Sequence, residues 1–412
     1  MKDKFKLIER QEDLVKLLED ADITYSMYKN AVEKYTAVVD LLSSNGIDSH
    51  IYPQGSFAIG TVVKPLRRNK EADYDLDVIC EVSCSKAETT APQLYKKIKD
   101  ALESSGRYDK KLHFFEECIR IEYADVGGYK FSMDIVPSVP EEIREILKMK
   151  SFTQRPDLCD TAIAITELDN DSLGWGKSNP KGYEKWFSEI NERFHNYDFG
   201  VNTNRQQIFQ NNLTVFSSAD EIPLQIVRTP LQRVVQLLKL HKASYFSNPN
   251  VKDFSVKSVI IATLAAHSAQ KAPAHYNTFE LLDFVLKDLQ KYSTLKDNPT
   301  LFKALNPDKG IIEFDGTEWK IENPSNPMDN LANSWNEDNE YVKYFFMWVN
   351  SAIKDFDTII GDQDLIYGSV LSKMFGEGKV KDFGYDRKYK LVSPTPIEPH
   401  VQHKPWLDYE NA

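Results

Sequence analysis

The chain has few cysteines, no excess of basic charge and no long apolar run, and each shortage disfavours a class of protein. Its four cysteines, Cys80, Cys84, Cys118 and Cys159, include no CxxC pair, so their spacing predicts no zinc framework. Lysine and arginine number 51 against 62 aspartate and glutamate residues, a net charge of -11, which repels a phosphate polymer at long range. A general nucleic-acid binder is therefore disfavoured, and reduced thiols fit a cytoplasmic protein.

The sequence also lacks a segment suited to a membrane. No run approaches about 18 consecutive apolar residues, and the charged N-terminus, residues 1–20, lacks the apolar core of a signal peptide. We therefore expect neither export nor a membrane span.

What the chain does contain predicts a folded protein with more than one lobe. Its 412 residues exceed the roughly 250–300 at which a single core stops growing. The aromatic content of 12% argues against disorder. Apolar spacing predicts a helix over Lys4–Ser44 that is broken near Ile23–Ser26, and strands over Cys118–Ala124 and Tyr129–Val136. Periodicity fades over Pro137–Asp171, which predicts loops there.

Acidic residues alternate along a predicted strand. Because side chains two apart share a strand face, Asp73, Asp75 and Asp77 lie on one side, where two carboxylates can hold two divalent cations. If Asp73 and Asp75 were the ligands, Asp77 would be an unpaired carboxylate beside the buried run 78–80, which costs several kcal/mol. We therefore predict Asp75 and Asp77 as the pair.

Three further residues extend this pattern toward phosphate chemistry. Gly55 lets the backbone turn tightly against a ligand, and Ser56 offers a hydroxyl and an N–H to phosphate oxygens. Asp134, which follows a Gly-Gly hairpin, is the candidate third carboxylate. Taken singly, a solvated strand edge or a turn explains each acidic feature better. In this order along the chain, however, the features favour nucleotidyl transfer.

Two lysines lie three residues apart on the predicted helix over 229–246. Lys239 and Lys242 are candidates to present ammonium groups to a triphosphate, although the solvated edge of an amphipathic helix explains them equally well.

The combined motifs at 52–63, 73–80, 131–139, 178–187 and 229–242 resemble the bacterial CD-NTases, the cGAS/DncV-like nucleotidyltransferases with a SMODS-type core. The resemblance implies an α+β fold: a polymerase-beta-like nucleotidyltransferase palm, a mixed sheet with helices, packed against a C-terminal helical lobe and joined by a long N-terminal helix. The division predicted on this basis is N-terminal helices over 1–46 that pack on both lobes, the palm over 47–225, the helical lobe over 226–390 and an extended tail over 391–412.

Site residues carry over from the resemblance by position. The donor-phosphate turn of the family matches Gly55 and Ser56, and its paired metal ligands match Asp75 and Asp77. Its third carboxylate matches Asp134, and its triphosphate contacts from the helical lobe match Lys239 and Ser255. The implied cofactor is a pair of Mg²⁺ ions, or Mn²⁺, and the implied substrates are nucleoside triphosphates, ATP or GTP among them. The zinc thumb of the animal DNA sensor is absent from the sequence, so activation by double-stranded DNA is not implied.

The implied function is synthesis of a cyclic di- or trinucleotide second messenger in the cytoplasm of a bacterium, where the product activates an antiphage (CBASS) effector. One alternative is nucleotidyl transfer to RNA or to a protein hydroxyl, which the acidic charge disfavours. The other is a non-catalytic nucleotide-binding subunit of a defence complex, which has no need of a third carboxylate. Some members of the family are conjugated at the C-terminus by ubiquitin-transfer-like partner enzymes. Ala412 fits such a site, although an inert tail is the favoured interpretation.

Overall fold

The chain folds into a mixed sheet with flanking helices and a second, helical half. The computed structural model describes residues 2–64, 73–108, 110–115, 117–126, 129–169, 172–194, 220, 228–295, 297–306, 310–359, 361 and 363–391. The strands are β1 Ser49–Pro53, β2 Asp73–Val82, β3 Leu112–Phe114, β4 Ile119–Val126, β5 Tyr129–Pro140, β6 Ile163–Asp169, β7 Ser172–Ser178, β8 Glu313–Phe314, β9 Trp319–Lys320, β10 Glu322–Asn323 and β11 Asn326–Asn330. The helices are α1 Lys2–Ala21, α2 Tyr25–Ser44, α3 Gly55–Ala58, α4 Ala91–Glu103, α5 Ile143–Lys150, α6 Pro180–Asn191, α7 Pro230–Phe246, α8 Ser258–Ala269, α9 Thr278–Lys291, α10 Pro299–Leu305, α11 Asn333–Glu337, α12 Glu340–Asp357, α13 Asp364–Phe375, α14 Glu377–Asp382 and α15 Tyr385–Lys388, with short 3-10 turns at Pro156–Thr161 and Tyr292–Thr294.

The central sheet has one parallel pair among antiparallel neighbours. Its strands run in the order β1-β2-β5-β4-β3, and β6 pairs with the end of β5 and with β7. Strands β2 and β5 are parallel, so residues at the same height on both point to the same side of the sheet. This pair places the acidic residues of β2 beside those of β5.

Helix α2 buries the apolar stripe that its sequence predicts. Thr24 caps its N-terminus by accepting a hydrogen bond from the Met27 N–H at 3.2 Å. The stripe recurs at intervals of three and four residues and packs with α4 on the sheet: Ala31, Tyr35, Val38, Val39 and Leu42. Asp22, Ile23 and Thr24 separate α1 from α2, which confirms the predicted break.

The helical half has its own core, to which α1 contributes Leu14, Leu17 and Leu18. Most residues of helices α7 and α8 are buried, as expected for helices that neighbours cover on several sides. Helix α8 is apolar nearly all round, whereas α7 also buries polar side chains, Gln232 and Gln236 among them. Among the described residues, no helix is long and apolar enough to cross a bilayer.

Helix α7 holds the two halves together through side chains that bind one backbone segment of the sheet half. Lys239 donates to the carbonyl of Thr61 at 3.1 Å. Further donors on and just before α7 bind the other carbonyls of this segment: Gln232 to Ile59 at 3.0 Å, Arg228 to Gly60 at 2.5 Å and Gln236 to Val62 at 2.9 Å.

The structure confirms the β4–β5 pair and corrects the loops predicted after it. Val126 pairs with Tyr129 across the hairpin, whose turn at 127–128 lies outside the described residues. The prediction of loops over Pro137–Asp171 is wrong, because this stretch contains the end of β5, helix α5 and strand β6. Helix α5 escaped detection because its eight residues are too few to establish a helical period. Two of its apolar side chains face solvent, Ile143 at 77% and Leu147 at 60% exposure. The four domain bounds stay a prediction, and 392–412 lies outside the described residues.

Candidate active site

A cleft of about 590 Å³ opens between the sheet and the helical half. All but one of the predicted site residues line it: Gly55, Ser56, Asp75, Asp77, Asp134 and Lys239. Ser255 is not among the lining residues, whereas Ser258, at the first position of α8, is. The structure therefore brings together one turn, two strands and two helices at a single surface.

The parallel pair of strands positions the three carboxylates. Asp77 of β2 is directly opposite Asp134 of β5, and Asp75 is opposite Ser132. Asp75 is exposed, Asp77 is half-buried and Asp134 is 9% exposed. Asp73 belongs to β2 by its backbone, where it pairs with Lys130, at the start of the strand. One face of the sheet thus carries three carboxylates, and burial increases from Asp75 through Asp77 to Asp134.

Burial and the neighbouring carboxylates together raise the pKa of Asp77. Burial, the charge of Asp134 and the charge of Asp75 together raise its pKa to about 7, against the smaller opposing effects of Arg120 and Lys239. A carboxyl that is crowded by two others in a partly dry site is stabilised when a cation or a proton joins it.

Two of the carboxylates have specific hydrogen-bond partners. The Ser132 hydroxyl donates to Asp75. The Arg120 guanidinium binds Asp134 bidentately, with Nε 2.7 Å from Oδ1 and Nη2 2.8 Å from Oδ2. The sequence prediction did not include Arg120. A signal was present in the alternation of Ile119, Arg120 and Ile121, which exposes the arginine on the face opposite the isoleucines.

Gly55 makes the close approach between the turn and β2 feasible. Its φ of +63° belongs to the left-handed region that glycine adopts without strain. A Cβ at this position would lie 2.9 Å from Asp77 Oδ2. The N–H of Gln54 donates to the Asp77 carbonyl at 2.8 Å, which fixes the turn to the strand. Ser56, next in the chain, is thereby held beside the carboxylates.

The lysines of α7 differ in their position. Burial and the neighbouring Lys242 lower the pKa of Lys239 to about 8, while Asp77 opposes the shift. Lys242 lies away from the cleft lining, and its Nζ donates to the Val256 carbonyl at 3.0 Å. Only Lys239 of the two therefore presents its ammonium group to the cleft.

Several lining residues were not among the predicted site residues, although the segment 178–187 belongs to the motifs that carry the resemblance. These residues belong to the β7–α6 junction and to the β10–β11 region, and their assembly depends on packing between segments far apart in the chain: Ser178, Asn179, Tyr183, Asn323 and Ser325. The buried Asn179 Nδ2 donates to the Ser325 carbonyl at 2.8 Å, which joins the two regions. The one sequence signal among these residues is Asn179 followed by Pro180, which form the N-cap and the first position of helix α6.

The donor set suits a hard divalent cation that also binds a phosphate. Among residues of the described ranges, no three His, Cys, Asp or Glu side chains converge closely enough to hold a metal ion alone. Mg²⁺ is usually bound by one or two carboxylates together with substrate phosphates, and Asp75 and Asp77 supply such a pair. The raised pKa of Asp77 is the sign that positive charge is favoured there.

Residues 49–136 match the family model described as Cyclic GMP-AMP synthase DncV-like, nucleotidyltransferase domain. This stretch is therefore similar to DncV-like nucleotidyltransferase domains. This matched region includes the Gly55 turn and all three carboxylates, and it makes the chain a nucleotidyltransferase.

Similar proteins extend the likeness over the rest of the chain. A c-di-GMP synthase of Roseivirga ehrenbergii is 26% identical over 373 residues, which are 89% of this chain and 84% of that protein. The CD-NTase CdnG of Bradyrhizobium diazoefficiens, solved in complex with GTP, is 19% identical with a TM-score of 0.62, over 93% of this chain and 99% of that chain. CdnC of E. coli MS115-1, solved with ATP, is 14% identical with a TM-score of 0.52, over 89% of this chain and 98% of that chain. The predicted α+β fold of a palm and a helical lobe is confirmed.

Proposed function

We propose that the chain joins nucleoside triphosphates and closes them into a cyclic di- or trinucleotide with the help of divalent cations. The observation that carries this proposal is the pairing of Asp77 with Asp134 across neighbouring strands, packed against Gly55, in a cleft that Lys239 closes from the helical half. The similarity to a c-di-GMP synthase supports it and makes GTP the first substrate to test.

Three carboxylates would hold two Mg²⁺ ions, or Mn²⁺, together with the triphosphate: Asp75, Asp77 and Asp134. Such ions, when bound, lower the pKa of the attacking hydroxyl and neutralise charge on the leaving pyrophosphate. The contribution of the chain is to fix these carboxylates on one face of a sheet, where the strands allow little movement.

The donor triphosphate would be held from both sides of the cleft. Ser56 offers its hydroxyl and N–H from the palm, and Lys239 offers its ammonium group from α7. Ser258 lines the cleft and Ser255 is not among the lining residues, so we assign to Ser258 the contact that the resemblance implied for Ser255. A ribose hydroxyl then loses its proton to solvent and attacks the α-phosphorus, a P–O bond forms, and pyrophosphate leaves with the electrons of the broken bond. The linear product rebinds in the reverse orientation for the attack that closes the ring.

Incubation of the full chain with labelled NTPs and Mg²⁺ tests this function. The wild type is expected to release pyrophosphate and form a phosphatase-resistant product, and an Asp75→Asn/Asp77→Asn double variant to form none. Asp100→Asn, an exposed carboxylate on α4 paired with Lys96, is the matched control and should retain full activity. A wild type without product, or a double variant as active as the wild type, contradicts the proposal.

The nature of the labelled product separates this function from its rivals. Labelled RNA or protein would favour transfer to a macromolecule, and triphosphate binding without pyrophosphate release would favour a binding subunit. In the proposed pathway the cyclic product activates an antiphage effector. Conjugation at Ala412 by ubiquitin-transfer-like enzymes stays a hypothesis, and an unchanged intact mass after co-expression with such enzymes would count against it.

A further inference from the structure

The third carboxylate of the cleft is already paired with a cation that belongs to the chain. Asp134 and Arg120 are directly opposite each other on β5 and β4, as Asp134 and Asp77 are on β5 and β2. The row Asp77, Asp134, Arg120 therefore crosses three adjacent strands, and the guanidinium lies at the far end from β2. Both oxygens of Asp134 accept a hydrogen bond from it, at 2.7 Å and 2.8 Å.

The surroundings make this ion pair stronger than a typical surface pair. The side chains of Arg120 and Asp134 are 31% and 13% exposed, so water screens them only in part. The guanidinium carbon also lies 5.2 Å from the centre of the Phe115 ring, which fixes its orientation. Fork-shaped donation to both carboxylate oxygens holds the Asp134 side chain in one rotamer.

The charges of the row explain why a cation is needed there. Asp77 and Asp134 are negative neighbours in a partly dry cleft, where like charges repel more strongly than in water. The Arg120 guanidinium offsets this repulsion most strongly at Asp134, which it binds directly. A divalent ion that uses Asp134 as a ligand must therefore approach a carboxylate whose two oxygens are engaged and whose neighbour is positive.

We propose that Arg120 is a positioning residue that occupies Asp134 as an internal cation, so that a divalent ion must compete with it for this carboxylate. This inference rests on the proposed function, because it assigns Asp134 to metal binding. Arg120 keeps the carboxylate aligned in the ion-free protein, and it lowers the affinity of the nucleotide-free site for metal. Productive metal binding at Asp134 then depends on the additional negative charge of a triphosphate in the cleft.

Binding of Mn²⁺ to the nucleotide-free, chelator-treated full chain tests this inference without any turnover. We expect Arg120→Gln to bind Mn²⁺ roughly tenfold more tightly than the wild type, since removing a unit charge at this range in a partly buried site is worth at least that factor. Arg120→Lys keeps the charge but loses the fork, and its affinity should lie between the two. Free Mn²⁺, measured by electron paramagnetic resonance, reports the affinity.

Two further variants separate this role from a purely structural one. Arg155→Gln removes a bidentate pair of similar geometry with Asp157, at 2.9 Å and 2.8 Å, on residues that do not line the cleft, and should leave Mn²⁺ affinity unchanged. The double variant Arg120→Gln/Asp134→Asn should lose the gain. The inference is overturned if Arg120→Gln binds Mn²⁺ no more tightly than the wild type, if Arg155→Gln gains equally, or if the double variant keeps the gain.

The failure of this inference and the failure of the proposed function are distinguishable. If the wild type makes cyclic product but Arg120→Gln shows no gain in Mn²⁺ affinity, the proposed function stands and the proposed role of Arg120 is wrong. If Arg120→Gln does not fold, as judged by circular dichroism, Arg120→Lys carries the test, and equal Mn²⁺ affinity in this variant and the wild type overturns the inference.

Discussion

The charge of Asp77 is proposed to bind metal for catalysis, but in the metal-free protein the same charge lowers folding stability. Its pKa is raised to about 7 by burial and by the charges of Asp134 and Asp75. The folded, metal-free chain therefore holds the proton of Asp77 more tightly than the unfolded chain does. The stabilising contribution is complete below about pH 4 and is lost as the pH rises through about 7, because the folded state then contains a partly buried charge.

Replacement of this side chain by its neutral analogue should stabilise the protein while it abolishes activity. We expect Asp77→Asn to raise the free energy of unfolding by on the order of 1 kcal/mol at pH 8 in the absence of metal, and to change it little at pH 4, where Asp77 is protonated. Urea unfolding of chelator-treated protein at the two pH values measures this. A variant less stable than the wild type at pH 8 would show that the charge of Asp77 is already compensated.

The control for this prediction is a carboxylate outside the cleft. Asp100 on α4 is exposed and pairs with Lys96 at 2.6 Å, an arrangement that contributes little to stability. Asp100→Asn should therefore shift the free energy of unfolding by less than about 0.5 kcal/mol at both pH values. An equal gain in stability from Asp100→Asn would trace the effect to net charge instead of to the cleft.

At the scale of elements, the turn at α3 and the strand β2 act as one unit. Gly55 has a φ of +63°, and Asp77 fills the space that a side chain on Gly55 would need. Two costs therefore fall on any replacement of Gly55: backbone strain in the left-handed region and a collision with the carboxylate. The second cost acts directly on the residue proposed to hold metal.

Gly55→Ala should therefore abolish most nucleotidyl transfer. We expect a loss of about 100-fold or more in kcat/KM, since a displacement of about 1 Å in a catalytic group has an effect of this size. Gly106→Ala is the matched control, because Gly106 has a φ of +60° but no atom within 4 Å of the added Cβ. Gly106→Ala should lose about 1 kcal/mol of stability and Gly55→Ala more than that, because of the added collision, and only Gly55→Ala should lose activity. Equal activity losses in steady-state kinetics would contradict this account.

The same elements show how far the sequence predicts the site and where it stops. The period of two along β2 was enough to place Asp75 and Asp77 on one face, and the cleft contains both. The pairing of Asp134 with Arg120 depends on the register of β4 against β5, which shifts between Tyr123 and Val126 and which spacing alone does not give. The contribution of the β10–β11 region depends on contacts between segments about 150 residues apart, such as Asn179 with Ser325.

At the scale of the whole molecule, both ends of the described chain are fixed to the helical half. The buried Arg10 of α1 donates to the Thr358 carbonyl at 3.0 Å and to Asp364 at 2.7 Å. The Tyr367 hydroxyl donates to the Arg10 carbonyl at 2.6 Å, and the Tyr389 hydroxyl to Asp13 at 2.5 Å. Helix α1 is therefore part of the helical core, while α2 belongs to the sheet. The chain crosses between the two halves at Asp22.

The buried carboxylate of Asp22 lies where the chain crosses between the two halves, and it binds side chains of α7. It is 2% exposed and accepts hydrogen bonds from Arg233 at 3.0 Å and from Gln236 at 2.9 Å, and Gln236 also binds the Val62 carbonyl. Asp22→Ala should cost about 3–5 kcal/mol, because it leaves the buried Arg233 guanidinium without its carboxylate, although the neutral Gln236 Oε1 still accepts a hydrogen bond from it. The loss should also separate unfolding of the two halves, so that urea unfolding followed by tryptophan fluorescence and by circular dichroism gives different midpoints.

The control for this prediction is an ion pair at the surface. Asp157→Ala, which removes an exposed partner of Arg155, should cost less than about 1 kcal/mol and leave one transition. Coincident midpoints with a small loss in Asp22→Ala would show that apolar contacts, and not this ion pair, hold the lobes together.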